Sequence, residues 1–213
     1  MNTITTPQSF IKRILVWDVP TRVFHWALAI SFAGAMNTQD MERLRLVHIT
    51  FGYTMLGLVG FRLIWGMIGT RYARFTSFVP SPGKLLGYVR SLFSRNPIHT
   101  IGHNPIGALG IIAMLTLTVI TAASGFLLEN GFAEELMEEL HEGAANGLFA
   151  VIGIHIGGVI FSSLAHKENL IRPMFTGFKL GQESQSIRHS FWWIGVLLIA
   201  SLAWFWLFNL KLI

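Results

Sequence analysis

The stretch Leu140-His141-Glu142-Gly143-Ala144-Ala145-Asn146-Gly147-Leu148-Phe149-Ala150-Val151-Ile152-Gly153-Ile154-His155-Ile156-Gly157-Gly158 holds two histidines fourteen residues apart in an apolar, glycine-rich run. At about 100° per residue, fourteen helical steps return to within about 40° of the start, and at 1.5 Å each they climb about 21 Å. A helix here puts His141 and His155 on one face, near opposite edges of a hydrocarbon layer about 30 Å thick. That is the geometry of two metal centres stacked across a membrane, or else a coincidence among the chain's eight histidines. What the rest of the chain sets opposite these positions decides between the two.

Of the 213 residues, 52% are hydrophobic and only 13% charged, with mean hydropathy +0.54. A soluble domain carries about 25% charged residues, so several long apolar runs with so little charge indicate a polytopic membrane protein. The first ten residues are polar and lead into charges, and no cleavable signal peptide is expected from them. Cysteine is absent. This excludes disulfides, thiolate zinc, cysteine-ligated iron–sulfur clusters and covalent c-type haem. No Gly-rich phosphate loop or nucleophile elbow supports nucleotide hydrolysis or acyl transfer.

Five apolar spans are expected, at about 20–38, 44–69, 104–128, 139–165 and 190–210, each long enough to cross a bilayer. Pro20 suits the first turn of the first, and Asn104-Pro105 opens the third. Pro80, Pro82, Gly83 and Pro97 mark 70–104 as a long connection, within which Lys84 to Phe93 is expected as a short interfacial amphipathic helix. Glu129, Glu134, Glu135, Glu138, Glu139 and Glu142 form an acidic connection before the fourth span. Phe191, Trp192, Trp193, Trp204 and Trp206 lie towards the ends of the fifth, as interfacial aromatics do.

Charge gives the expected orientation. Lys12, Arg13 and Arg22 precede the first span, Arg71, Arg74, Lys84, Arg90 and Arg95 fill the second connection, and Lys167, Arg172, Lys179 and Arg188 fill the fourth. The first and third connections hold only Arg43 and Arg45, against Asp40, Glu42 and the six glutamates. Positive-inside bias places the N-terminus in the cytoplasm and the C-terminus outside, in the bacterial inner membrane. The net charge of +5 thus reads as topology and contact with anionic lipid, with no nucleic-acid partner.

In that frame the histidines fall at two depths. His25 starts the first span inside, His48 starts the second outside, and His141 and His155 lie outside and inside on the fourth. The expected pairs are His48 with His141 and His25 with His155. Two facing imidazoles without cysteine or carboxylate partners suit two b-type haems with bis-histidine ligation and one-electron chemistry. Gly52, Gly143, Gly147, Gly153, Gly157 and Gly158 stand near these histidines, either to admit a flat macrocycle or as ordinary small-residue helix packing. Arg62, fourteen residues after His48, is a costly intramembrane charge. Its expected partner is a haem propionate or a quinone, with lipid snorkelling as the alternative. His103, at the mouth of the third span, is expected to contact a propionate, assist quinone protonation or cap the helix. His99, His166 and His189 read as solvated or near headgroups.

With those residues placed, the chain resembles the prokaryotic cytochrome b561 family, which includes the b-type cytochrome subunits of nickel–iron hydrogenases. The resemblance rests on Val16-Trp17-Asp18 with Arg22-Val23-Phe24-His25-Trp26, His48 through Gly52-Tyr53, Gly60-Phe61-Arg62-Leu63-Ile64-Trp65-Gly66, Gly102-His103-Asn104-Pro105 and the histidine spacing. It implies a four-helix di-haem bundle, covering 15–170; the C-terminal span (171–213) goes beyond that core, and the whole 1–213 is expected to form one all-α membrane domain. It also implies electron transfer between the quinone pool and a partner on one membrane face. The expected function is a di-haem cytochrome b passing electrons between quinone and a periplasmic redox protein, a hydrogenase or a c-type cytochrome. The alternatives are a superoxide:quinone oxidoreductase using Arg43 and Arg45, and a transporter or anchor with structural histidines. Oligomeric state stays open, a homo-oligomer included.

Overall fold

Asp18 starts the first long helix: its carboxylate accepts the Thr21 N–H at 2.8 Å, supplying a first-turn donor with the acceptor it otherwise lacks. The computed structural model describes residues 11–92, 94, 98, 100–165 and 167–210. The leading decapeptide, Phe93, Arg95, Pro97, His99 and His166 of the sequence reading lie outside the described residues. Strand β1 (Lys12–Leu15) precedes helix α1 (Val19–Thr38). A 3-10 turn at Glu42–Leu44 leads into α2 (Arg45–Ile68). Two shorter helices, α3 (Phe75–Phe78) and α4 (Pro82–Leu92), occupy the long connection. Then come α5 (Pro105–Glu129), α6 (Glu134–Ala165), α7 (Arg172–Thr176), strand β2 (Phe178–Gly181) and α8 (Trp192–Asn209).

Contacts between helix ends fix their relative directions. The indole N–H of Trp65, late in α2, donates to both Asp18 carboxylate oxygens, at 3.3 and 3.2 Å, and the Thr70 hydroxyl donates to Oδ2 at 2.5 Å. Asp18 is fully buried, and these donors are what make its burial tolerable. His103, just ahead of α5, packs 4.6 Å from Trp17, and Val19 N donates to Ser190 O at 2.8 Å ahead of α8. The starts of α1, α5 and α8 and the end of α2 therefore share one end of the bundle, termed the lower end here. The upper end joins the start of α2 to the end of α1, and the start of α6 to the end of α5.

Phe24, Leu58, Val59 and Leu115 form a buried cluster where α1, α2 and α5 meet. In lipid such contacts hold by packing rather than by expulsion of water. The only extended packing of α6 among the described residues is along α5. Ile154 and Leu164 on α6 are 75% and 74% exposed, a surface suited to lipid and not to water.

Three features differ from the sequence reading. First, the acidic connection is mostly helix. Met137 N bonds to Ala133 O at 2.9 Å and Glu134 and Glu135 occupy the first turn, where negative side chains favour a helix N-terminus. The connection shrinks accordingly, and Glu138, Glu139 and Glu142 ride on α6. Second, β1 and β2 pair antiparallel, Lys12 opposite Gly181 and Leu15 opposite Phe178, so a small ribbon accompanies a fold that is otherwise mostly helical. Third, the helices long and apolar enough to cross a membrane are α2 (with its 3-10 lead-in), α5, α6 and α8. The 20-residue α1 is not among them, because Thr21, Arg22, His25, Ser31, Asn37 and Thr38 dilute its hydropathy. Asn37 and Thr38 return their side-chain donors to helix carbonyls, at 2.7 Å to Ala33 O and 2.8 Å to Gly34 O.

Candidate functional site

At the upper end, α2 and α6 present His48 and His141 to each other. Their ring centroids are 6.2 Å apart and the planes are inclined at 67°. Nδ1 of His48 lies 3.0 Å from Ala35 O in the last turn of α1, and Nδ1 of His141 lies 2.8 Å from Thr121 O on α5. A carbonyl can only accept, so each Nδ1 carries the proton and each Nε2 is left with its lone pair. This is how metal-ligating imidazoles are oriented from behind. Metal–imidazole bonds are about 2 Å long, so two imidazoles sharing one metal have centroids about 6 Å apart. The centroid separation of the pair matches that spacing. Among the described residues no group of three or more His, Asp or Glu side chains could hold a metal ion.

Gly125 on α5 makes room for this arrangement. A Cβ there would stand 2.9 Å from Cε1 and Nδ1 of His141. Nothing in the sequence singled out Gly125, because its partner comes from another helix. Of the glycines near the histidines, Gly147 packs ordinarily, its would-be Cβ 3.6 Å from Leu117. Gly52, Gly143, Gly153, Gly157 and Gly158 face open space instead, which leaves room for a flat group beside α2 and α6.

At the lower end the structure gathers His25 from α1, His155 from α6, Arg62 from α2 and His103. His155 and His25 lie within electrostatic reach of each other and of His103. Arg62 is 3% exposed. Its Nη2 donates to Ala73 O at 2.9 Å, and its guanidinium lies 4.8 Å from the Phe75 ring and 5.8 Å from the Phe78 ring. Trp17 and Phe78 each pack 4.6 Å from His103. Burial pushes the His103 imidazole down to about 3, with Arg62, His155 and His25 adding to the effect, so the ring is neutral. Asn104, not His103, caps α5, accepting Gly107 N at 2.6 Å.

Nδ1 of His25, Nη1 of Arg62 and Nδ1 of His103 are buried without a hydrogen-bond partner. Buried polar atoms are nearly always paired, and these three, with Thr21 Oγ1 and Arg22 Nε also open at the same end, call for a polar partner, an anionic one in the case of Arg62. A carboxylate-bearing prosthetic group has that chemistry. The remaining histidine of the basic connections, His189, packs 5.8 Å from Phe191.

Mostly apolar helices, two imidazoles facing each other from α2 and α6 and a cluster of buried, unpartnered nitrogens at the lower end suit a membrane protein built around a metal-bearing prosthetic group. The model of the prokaryotic cytochrome b561 family matches residues 16–177, and the chain belongs to that family. It is therefore a multi-pass membrane b-type cytochrome of electron transport, with haem and its iron implied. Similar proteins carry consistent names. A probable Ni/Fe-hydrogenase B-type cytochrome subunit of Azotobacter vinelandii is 23% identical, the match covering 81% of this chain and 90% of the relative. The one from Rhizobium leguminosarum bv. viciae is 22% identical over 82% and 92%. A probable Ni/Fe-hydrogenase 1 B-type cytochrome subunit of Escherichia coli (strain K12) is 24% identical over 53% and 59%. No solved structure matches the chain.

Proposed function

We propose that this chain is a di-haem cytochrome b that carries electrons across the bacterial inner membrane between the quinone pool and a periplasmic redox protein, a hydrogenase or a c-type cytochrome. His48 and His141 hold the upper haem b; His25 and His155 hold the lower one. Arg62 and His103 offer their open nitrogens to the lower haem's propionates or to a bound quinone. Haem held by these histidines would supply reversible one-electron transfer, and a histidine on each side of it would leave no room for oxygen to bind. The chain's own residues set spacing and environment. His141 and His155 stand on one unbroken helix, about 21 Å apart along its axis. The four helices from α1 to α6 that carry or flank the histidines form the di-haem core, and α8 adds a further span. The upper end, with the glutamates of α6, faces the periplasm, and the basic lower end with the N-terminus faces the cytoplasm, as positive-inside bias requires.

The observation that carries this reading is the His48–His141 pair at 6.2 Å with both Nδ1 atoms on carbonyls. The superoxide:quinone alternative needs cations free to meet an anion at the upper end, yet Arg45 is paired with Glu129 at 2.5 Å. The test is a reduced-minus-oxidised spectrum with haem content per chain. Paired α and Soret bands and two haems are expected, with His48→Ala or His141→Ala losing one and keeping the other. Absent bands would sink the redox reading, and unchanged haem content in both variants would sink the pairing.

A further inference from the structure

A groove of about 490 Å³ runs between α1, α7 and α8, on the side of α1 formed by the helix that lies beyond the family match at residue 177. Ala27, Ile30, Ile199, Leu202 and Ala203 line its length, and Arg22 and Phe175 lie at its lower end. We infer that this groove seats one acyl chain of an anionic phospholipid whose phosphate is held at Arg22.

Length is the first argument. Val19 and Ile30, the extreme α1 residues of the groove, are about 16 Å apart along the helix at 1.5 Å per residue. That is about half of a hydrocarbon layer some 30 Å thick, the depth of one leaflet. The groove therefore takes a chain entering from the leaflet at the lower end and ending near the midplane. Ile30 and Ile199 are 65% and 54% exposed, so a lipid tail can enter sideways.

Charge is the second. Arg22 donates through Nη1 to Phe175 O, which anchors the guanidinium to α7; its Nε is buried against Gly177, and its Nη2, with no hydrogen bond among the described residues, is left for a ligand. Asp18, the nearest carboxylate in sequence, acts on Arg22 through its charge but gives its hydrogen-bonding oxygens to Thr21, Trp65 and Thr70. A guanidinium at headgroup depth with a donor left open matches a phosphate oxygen. Trp26 and Trp206, the groove's other polar side chains, have given their indole N–H groups to Met174 O at 3.1 Å and Thr54 Oγ1 at 3.0 Å. Nothing else in the groove offers donors to a quinone carbonyl, and the tail half is apolar throughout. Exposed Arg172 on α7 adds a further cation on the same short helix.

This inference rests on the proposed membrane placement of α1 and α8 and not on the number of haems. The full-length haem-loaded protein, purified in mild detergent and washed free of bulk lipid, is offered phosphatidylglycerol or phosphatidylcholine, and retained lipid is counted by native mass spectrometry. One phosphatidylglycerol per chain is expected to survive the wash, with phosphatidylcholine held much less well. Arg22→Gln should weaken retention about tenfold, the loss of one hydrogen bond to a charged group, whereas Arg22→Lys keeps most of it. Ala203→Trp, which fills the groove and leaves Arg22 in place, should abolish retention. Equal retention of both lipids, an Arg22→Gln or Ala203→Trp variant indistinguishable from wild type, or a quinone found in the groove instead would overturn the assignment. The haem bands are recorded on the same samples. Their absence in wild type would defeat the redox reading alone, and their presence with no lipid retained would defeat only this one.

Discussion

Gly125 and His141 touch across two helices: a side chain at position 125 would stand 2.9 Å from the imidazole that forms half of the upper pair. Real Cβ atoms do not approach so closely, so any larger residue forces the ring, α5 or α6 to move. Gly125→Val is expected to displace His141 from the Thr121 carbonyl and to lower the occupancy of the haem proposed there, at a cost of about 1–3 kcal/mol for overpacking. Haem content per chain together with the spectrum of the remaining haem checks this. Full occupancy with unchanged bands would show that the site tolerates the intrusion.

On the proposed di-haem arrangement, Arg62 is expected to tune one haem and not the other. A cation close to haem disfavours the more positive oxidised iron, so removing it should lower the reduction potential of the lower haem. For a one-electron couple about 59 mV corresponds to a tenfold change in equilibrium. Arg62→Gln should therefore shift one wave of a potentiometric titration downwards by some tens of millivolts, about 30–90 mV, and leave the other in place. Arg62→Lys should shift it less. Two waves moving together would argue against a position beside the lower haem.

Asp18 serves three donors from three segments. In Asp18→Ala the Trp65 indole and the Thr70 hydroxyl lose their acceptor inside the protein, each at about 1–3 kcal/mol. A fall in thermal stability is expected in detergent, with the lower haem released first because His25 sits on the helix that Asp18 caps. Asp18→Asn, which keeps one oxygen, should lie between the two. Simultaneous loss of both haems at an unchanged midpoint would contradict this order.

Trp206 joins the last helix to α2, which carries His48, donating to Thr54 Oγ1 at 3.0 Å and packing edge-on against Phe51 at 4.6 Å. Trp206→Phe removes the hydrogen bond and should cost about 1 kcal/mol. Trp206→Ala also removes the packing and should cost about 3 kcal/mol or more. Denaturation followed at the Soret band distinguishes the two, and identical midpoints would show that α8 contributes no support to α2.

The long-range pattern was legible in the sequence because membrane helices have few options. The fourteen-residue spacing of His141 and His155 reports a face and a depth at once, and alternating loop charge then sets His48 level with His141. The structure brings these two rings together. Gly125 could not be read, since a glycine in an apolar helix resembles its neighbours until the opposing side chain is known. The early start of α6 was hidden because glutamates read as solvent-loving connection, although at a helix N-terminus they favour the helix. The strands were missed because four residues are too few to show an alternating pattern, and their partner lies far along the chain. Trp206 was read as an interfacial aromatic from its position near a helix end, and only the neighbouring hydroxyl of Thr54 shows that it points inward.

The ribbon of β1 and β2 has a consequence for how the chain is made. The hydrogen bond from Leu15 N to Ser186 Oγ beside it spans 171 residues, so the first strand leaves the ribosome long before its partner exists. At translation rates of about 5–20 residues per second, it waits about 10–30 s with an unpaired edge while four histidine-bearing positions emerge and enter the membrane. Closure of the ribbon is thus a late clasp, able to form only after His25, His48, His141 and His155 have all been synthesised. A chain arrested after α6 would hold all four histidines but leave that first strand open to the wrong neighbour.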